Sequence, residues 1–281
     1  MATASAPASA ANLGPGFDVL ALALELRCEV TARRAETWSL RHTGPEIPGE
    51  GPDIVLDAAQ RAIGTEQSLE LVVDNRIPIG KGLGSSAAAA AAGAEAALRA
   101  VGTGNKPERI FELVSEMEEH PDNAAAAVYG GLVLCPPDGQ VRQLVLHPSL
   151  LILVAVPIDS FPTLEAREAL ADQVPRSVAV RSLGRIGSLV LGLITGDDEF
   201  LKGAADDEMH EAPRNVIRPL VGEAINAGRA AGASHVCWSG AGPAVLALVK
   251  ADAESQVTAA LEATMPGAQV RRFRVATEGI L

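Results

Sequence analysis

The sequence predicts an α+β fold in two units, residues 1–149 and 150–281, on three observations. Strand-like and helix-like segments mix without the strict βαβ period of a doubly wound sheet. The 281 residues are 48% hydrophobic, enough for one large or two medium cores at about 100–200 residues per domain. A buried-strand run, "LLILVAVP" from Leu150, begins a second succession of elements halfway along the chain.

The elements follow in order. Residues 25–35 and 69–75 read as strands, and 86–101 as an alanine-rich helix. A helix is expected over 107–119. Pro107 suits a first turn, and Ile110, Leu113, Val114 and Met117 recur at helical spacing. Strands at 131–135 and 141–147 flank the turn signal "PPDG" and read as a hairpin. After the strand at Leu150 come helical stretches at 164–171, 177–194 and 222–231, then strands near 235–238, 244–249 and 271–275.

Composition excludes several classes of function. A formal charge of -12 with 3% aromatic residues opposes nucleic-acid binding, which needs a basic face and stacking platforms. The longest unbroken apolar runs fall short of the ~18 residues that span a bilayer, and Met1 opens no basic-then-apolar leader, so a cytoplasmic protein without a membrane partner is expected. Cys28, Cys135 and Cys237 lie far apart without CxxC spacing and read as core thiols.

The stretch "PIGKGLGSSAAAAAAG" (78–93) carries the strongest chemical signal. Gly80, Gly82 and Gly84 let backbone N–H groups converge on one point, and the helix beginning near Ser86 adds unpaired amides and the positive end of its dipole. Such an anion cradle suits an acidic protein, because backbone dipoles hold a polyphosphate with Lys81 as the one nearby cation. It is neither G-x-x-x-x-G-K-[ST] nor G-x-G-x-x-G, since Ser85 occupies the last position of the latter.

This stretch resembles the P-x-G-x-G-L-G-S-S-A motif of the GHMP kinases. "PASAANLGPGFDVLALAL" (7–24) is similar to the N-terminal motif of the homoserine kinase branch, "EEHPDNAAAAVYGG" (118–131) to its E-G-H-P-D-N motif, and "SGAGPAVLAL" (239–248) to the superfamily's C-terminal glycine motif. The resemblance implies an N-terminal ATP-binding domain (1–149) and a C-terminal domain (150–281), with ATP and substrate held between them. It implies that Pro78, Gly80, Lys81, Gly82, Leu83, Gly84, Ser85, Ser86, Gly240 and Gly242 surround the nucleotide. It further implies that Ser86 and Glu118 hold Mg²⁺, an ion that favours one or two hard oxygen ligands plus nucleotide phosphates. Glu119 stands where the family usually has glycine, which leaves Glu118 and Glu119 both open as the metal carboxylate.

A small amino acid needs a carboxylate for its ammonium, cationic forks for its carboxylate and a polar group for the attacking hydroxyl. "PTLEAREALADQVP" (162–175) and "DDEMHEAPRNVIRPL" (206–220) resemble homoserine kinase stretches and place Thr163, Arg167 and Arg214 on that carboxylate. Thr163 and Arg167, four apart, share a helix face. Asn12 and Asp18 are implied at the amino group, with His120 and Asn123 near the hydroxyl. Ser9 and Ala10 replace the family's usual Thr and Ser, and Ala212 and Pro213 its Pro and Tyr.

The implied activity is phosphorylation of L-homoserine by ATP on the route to threonine. The alternatives are another small alcohol (mevalonate, shikimate or a sugar) or a non-catalytic ATP or amino-acid sensor. The catalytic residues on this reading are Asn123, Asp122 and His120: Asn123 orients the hydroxyl, and Asp122 remains open as a proton acceptor. A homodimer is compatible with the resemblance.

Overall fold

The computed structural model describes residues 1–281. In chain order the elements are β1 (Ala2–Ala11), β2 (Leu20–Arg34), β3 (Ser39–His42), α1 (Ile54–Ile63), β4 (Leu69–Asn75), α2 (Ser85–Val101), α3 (Pro107–Glu118), α4 (Pro121–Tyr129), β5 (Leu132–Leu134) and β6 (Arg142–Leu144). There follow β7 (Leu151–Val156), α5 (Thr163–Glu168), α6 (Arg176–Thr195), α7 (Asp198–Gly203), α8 (Glu211–Ile217), α9 (Pro219–Ala230), β8 (His235–Trp238), β9 (Val245–Val249), α10 (Glu254–Thr264) and β10 (Gln269–Phe273). The mixed α+β content agrees with the sequence expectation.

Two sheets organise these elements. The first has the order β3-β4-β2-β5-β6, with β1 paired to β2. The long β2 holds it together, since β4 pairs with its Cys28–Arg34 half and β5 with Leu20–Leu22. Its pairing with β1 shifts register between Pro7 and Ala8, where proline has no N–H to give to the ladder. The second sheet, β10-β7-β9-β8, is antiparallel throughout.

Helix α2 explains the scarcity of aromatics. Ala87 through Ala92 are all buried, and so are Ala4, Ala6, Ala8 and Ala10 of β1. Small side chains on both surfaces bring helix and strand backbones close, so dispersion contacts arise from many short approaches rather than from large rings. This proximity places the N-terminus of α2 beside β1.

Several local expectations shift. β1 escapes sequence reading because "ATASAPASAA" has one β-branched residue, Thr3, and no aromatic residue to mark a strand. Helix α1 also goes unread, although Asp53 caps it by accepting from the N–H groups of Val55 and Leu56. The hairpin strands are shorter than the expected 131–135 and 141–147. Strand β10 lies two residues earlier than expected, and Val275 instead forms an isolated bridge with Leu24. Helix α6 is long and apolar enough by composition to cross a bilayer, although Arg181 and Arg185 interrupt its apolar run. Both arginines pair with Glu208.

Candidate active site

One cleft of ≈ 280 Å³ runs between the two sheets' loops. Most of the residues expected at the site line it: Asn12, Asp18, Pro78, Gly80, Gly82, Leu83, Gly84, Ser85, Ser86, Glu118, His120, Asp122, Asn123, Thr163, Arg167, Arg214 and Gly240. Lys81 and Gly242 do not. The Lys81 ammonium donates to the Ile158 carbonyl, and Gly242 lies against the Trp238 ring. The lining therefore has no ammonium group, and its guanidinium groups lie at one end.

The glycine loop joins β4 to α2 and is tied at its base by side chains. Asn75 accepts from the Ile77 N–H (3.0 Å) and donates to Ser85 Oγ (3.0 Å), which donates to the Ile77 carbonyl (3.0 Å). Ser85 thus closes the loop, whereas Ser86 Oγ donates to Glu118 Oε1 at 2.5 Å. Gly84 caps α2 at φ 63° without a side-chain cap, leaving first-turn amides free for an anion. A Cβ on Gly84 would lie 2.0 Å from Ser9 Oγ and 3.0 Å from Asn123 Oδ1, so glycine alone permits this approach.

At the C-terminal end of α3, Glu119 adopts φ 64°, the left-handed conformation that glycine takes without strain. The usual family glycine and this glutamate thus meet one backbone requirement. Glu119 is exposed and lies outside the cleft lining, whereas Glu118 is half-buried, lines it and bonds Ser86. A hydroxyl and a carboxylate together form a hard-oxygen donor pair that fits Mg²⁺ with nucleotide phosphates.

Between the ends of the cleft, α4 presents Asn123. Its Oδ1 accepts from Ser9 Oγ at 2.8 Å, which turns its amide NH₂ away from that contact. Ser9, where the family usually has threonine, retains the hydroxyl that makes this bond. Asp122, 1% exposed, accepts through Oδ1 from His120 Nδ1 (2.7 Å) and from the Asn123 N–H (2.7 Å). Burial pulls the His120 pKa down, but the hydrogen bond and charge of Asp122 outweigh it, and the net direction is upward.

The far end is built from residues distant in sequence. Asn12, Leu13 and Asp18 all have positive φ, a concentration of backbone strain at a cleft. Asn12 Oδ1 accepts from the Asp18 N–H (3.0 Å) and its Nδ2 donates to the Gly240 carbonyl (3.1 Å). Arg167, on α5 with Thr163, grips Asp18 through both oxygens at 2.8 and 3.3 Å. Arg214 is 2% exposed, yet lines the cleft. It donates to the carbonyls of Ala166 (3.2 Å) and Gly240 (3.1 Å) and to His210 Nδ1 (2.9 Å). Burial and the neighbouring Arg167 charge bring its pKa down to about 10, still charged at neutral pH.

Sequence reading passed over Phe17, His210 and Glu211. Phe17 lies in the quoted N-terminal stretch, and His210 stands four residues before Arg214, a helical spacing that was available as a signal. The opposite end of the cleft, with Pro48, Pro52, Ile54, Val55 and the His42–Asp53 pair, carried no motif.

Comparison with known proteins defines the class first. Residues 53–131 match the family described as GHMP kinases N terminal domain, and residues 196–267 match GHMP kinases C terminal. A mevalonate kinase of L. major shares the fold at TM-score 0.73 and 16% identity, with coverage of 98% of this chain and 96% of that one. The chain belongs to the GHMP kinases, and within them it falls with the homoserine kinases. It is 38% identical to homoserine kinase of Thermus thermophilus over 263 residues, 92% of this chain and 90% of the relative. It is 38% identical to that of Clavibacter michiganensis over 268 residues, 90% and 84%. The crystal structure of homoserine kinase from Cytophaga hutchinsonii superposes with TM-score 0.87 at 28% identity, covering 100% of this chain and 96% of that one.

Proposed function

We infer that this protein is an ATP-dependent homoserine kinase, transferring the γ-phosphoryl group of ATP to the hydroxyl of L-homoserine to give ADP and O-phospho-L-homoserine for threonine synthesis. The observation that carries the reading is the division of one cleft into an amide cradle at 80–86 and a zwitterion receptor at Asp18, Arg167 and Arg214, with Asn123 between them. A carboxylate beside two guanidinium groups matches an acceptor that carries both an ammonium and a carboxylate. Sugars carry neither group, and mevalonate and shikimate carry a carboxylate but no ammonium for Asp18, which disfavours all three as acceptors; the Ser86–Glu118 pair disfavours a silent sensor.

The residues act as follows. Amides of Gly80–Ser86, closed by Gly240, hold the triphosphate, and the apolar wall at Pro48, Pro52, Ile54 and Val55 receives the base. Ser86 and Glu118 would hold Mg²⁺, which would supply charge neutralisation to the nucleotide phosphates. Asp18 takes the substrate ammonium, and Arg167, Arg214 and Thr163 its carboxylate, so the zwitterion divides the Asp18–Arg167 pair seen without substrate.

Asn123 donates its amide to the attacking oxygen and aligns it with the γ-phosphorus. Asp122 is engaged with His120 and the α4 backbone, so it positions His120 rather than taking the proton. A loose transition state builds little charge on the attacking oxygen, and positioning supplies most of the rate. The two units divide at residues 149 and 150. A cytoplasmic place fits the three free, buried cysteines.

The test is steady-state ADP release with homoserine, threonine, serine, mevalonate and shikimate. The highest kcat/KM is expected for homoserine. Preference for mevalonate or shikimate refutes the substrate, and ligand-induced thermal shift without ADP release identifies a sensor.

A further inference from the structure

Beneath the carboxylate-binding end lies a platform with no assigned role. The His210 ring, fully buried, stacks on Phe17 at 5.1 Å between centroids and 25° between planes. The guanidinium carbons of Arg167 and Arg214 sit 5.6 and 5.7 Å from the same Phe17 centroid. Two cations thus converge on one aromatic ring, an arrangement that offsets part of their repulsion.

The hydrogen bonds on His210 run in a fixed direction. Nε2 lies 2.7 Å from the Gly14 carbonyl, which can only accept, so that nitrogen carries the proton. Nδ1 lies 2.9 Å from Arg214 Nη1, which can only donate, so that nitrogen carries the lone pair. The imidazole is neutral, of one tautomer, and unable to rotate without losing both bonds. Arg214 places Nη1 on His210 and the Gly240 carbonyl and Nε on the Ala166 carbonyl, which leaves Nη2 without an acceptor in the chain, where Arg214 lines the cleft.

We propose that His210 is a positioning residue for substrate recognition: its Nδ1 lone pair, oriented from Gly14 and held flat by Phe17, aims the free edge of Arg214 at the substrate carboxylate. The proposal rests on the reading that the acceptor is an amino acid whose carboxylate meets Arg214. The backbone carbonyls fix the near edge of the guanidinium, and His210 fixes its rotation, so the selectivity for a carboxylate resides partly in a ring that never touches substrate.

Two near-isosteric variants separate the bonds. The amide of His210→Asn reaches the place of Nδ1 and keeps an acceptor for Arg214, whereas that of His210→Gln reaches the place of Nε2 and keeps only the bond to Gly14. Kinetics are measured with L-homoserine and with 3-aminopropan-1-ol, which has the ammonium and hydroxyl but no carboxylate. His210→Gln is expected to raise KM for homoserine about tenfold, the scale of one lost directional contact, with a smaller fall in kcat. His210→Asn is expected to raise it less than about threefold, with KM for ATP near wild type in both. kcat/KM for 3-aminopropan-1-ol should be the same in all three proteins.

Equal effects of the two variants, a smaller effect for Gln than for Asn, or a parallel loss with 3-aminopropan-1-ol would overturn the proposal. Wild-type protein that ignores homoserine overturns the functional reading itself, a result seen before any variant is made. Should a buried amide prevent folding, Phe17→Leu probes the same platform. A rise of about threefold in KM for homoserine alone supports it, and an unchanged KM overturns it.

Discussion

Replacing Gly82 by alanine tests whether the phosphate loop depends on its closure by the C-terminal glycine stretch. Gly82 has φ 77°, and a Cβ there would lie 2.0 Å from the Ser239 carbonyl oxygen, 2.6 Å from the Gly242 nitrogen and 2.8 Å from the Gly242 Cα. All three are backbone atoms, so no side-chain rotation relieves the contact, and the loops must separate by roughly an ångström to reach ordinary van der Waals distance. That separation stretches Ser239 Oγ–H to the Gly82 carbonyl (2.7 Å) and the Ala244 N–H to the Lys81 carbonyl (3.2 Å).

Left-handed strain contributes about 1 kcal/mol and the two bonds about 1 kcal/mol each, for a loss of about 3 kcal/mol. Gly139 supplies the control: its φ is 73° and nothing lies within 4 Å of a Cβ there, so Gly139→Ala carries the strain alone, about 1 kcal/mol. At about 2–4 °C per kcal/mol for a chain of this size, Tm should fall about 6–12 °C for Gly82→Ala and about 2–4 °C for Gly139→Ala. The assay is thermal melting with and without MgATP, followed by KM for ATP. Only Gly82→Ala should lose ATP-induced stabilisation. Equal Tm losses, or an unaltered KM for ATP in Gly82→Ala, would refute the coupling of the two loops.

Other consequences are measurable with single substitutions. Glu118→Gln should lower kcat on the order of 10²-fold and raise the Mg²⁺ concentration for half-maximal rate, with Glu119→Gln near wild type; a Mg²⁺ titration separates them. Asn123→Ala should lower kcat on the order of 10²-fold at saturating homoserine, and unchanged turnover would remove its orienting role. Asp122→Asn should retain measurable turnover, whereas a fall to background would reinstate Asp122 as the proton acceptor. Burial raises the pKa of Glu211 to about 8, so the folded chain holds a proton that the unfolded chain releases near 4.5. Stability from this group therefore falls as pH rises between those values. Glu211→Gln keeps an acceptor for the Trp238 N–H and removes that slope, so its Tm advantage over wild type should grow from pH 5 to pH 8.

Legibility from sequence varied with the range of the interaction. The stretch 78–86 was readable because alternating glycines before an alanine helix encode their own backbone geometry, and Gly80, Gly82 and Gly84 all have positive φ. The hairpin about "PPDG" and the buried strand at Leu150 were readable for the same local reason. β1 was not, because its alanines acquire strand character only from pairing with β2 and packing under α2. The two serines of "GSS" are alike in sequence, and only the fold assigns Ser85 to Asn75 and Ser86 to Glu118.

The amino-acid sequence by itself marked a loop suited to an anion, since glycine spacing and helix onset bring backbone amides toward one place. Motifs named residues for the other end of the cleft, but only the tertiary structure decided how they meet. Asp18 meets Arg167 across 149 positions, and His210 reaches Gly14 across 196. No local propensity specifies such contacts. They exist because two sheets pack with their loops facing one cleft, where partial or full burial favours pairing of polar groups that the chain brings together from distant positions.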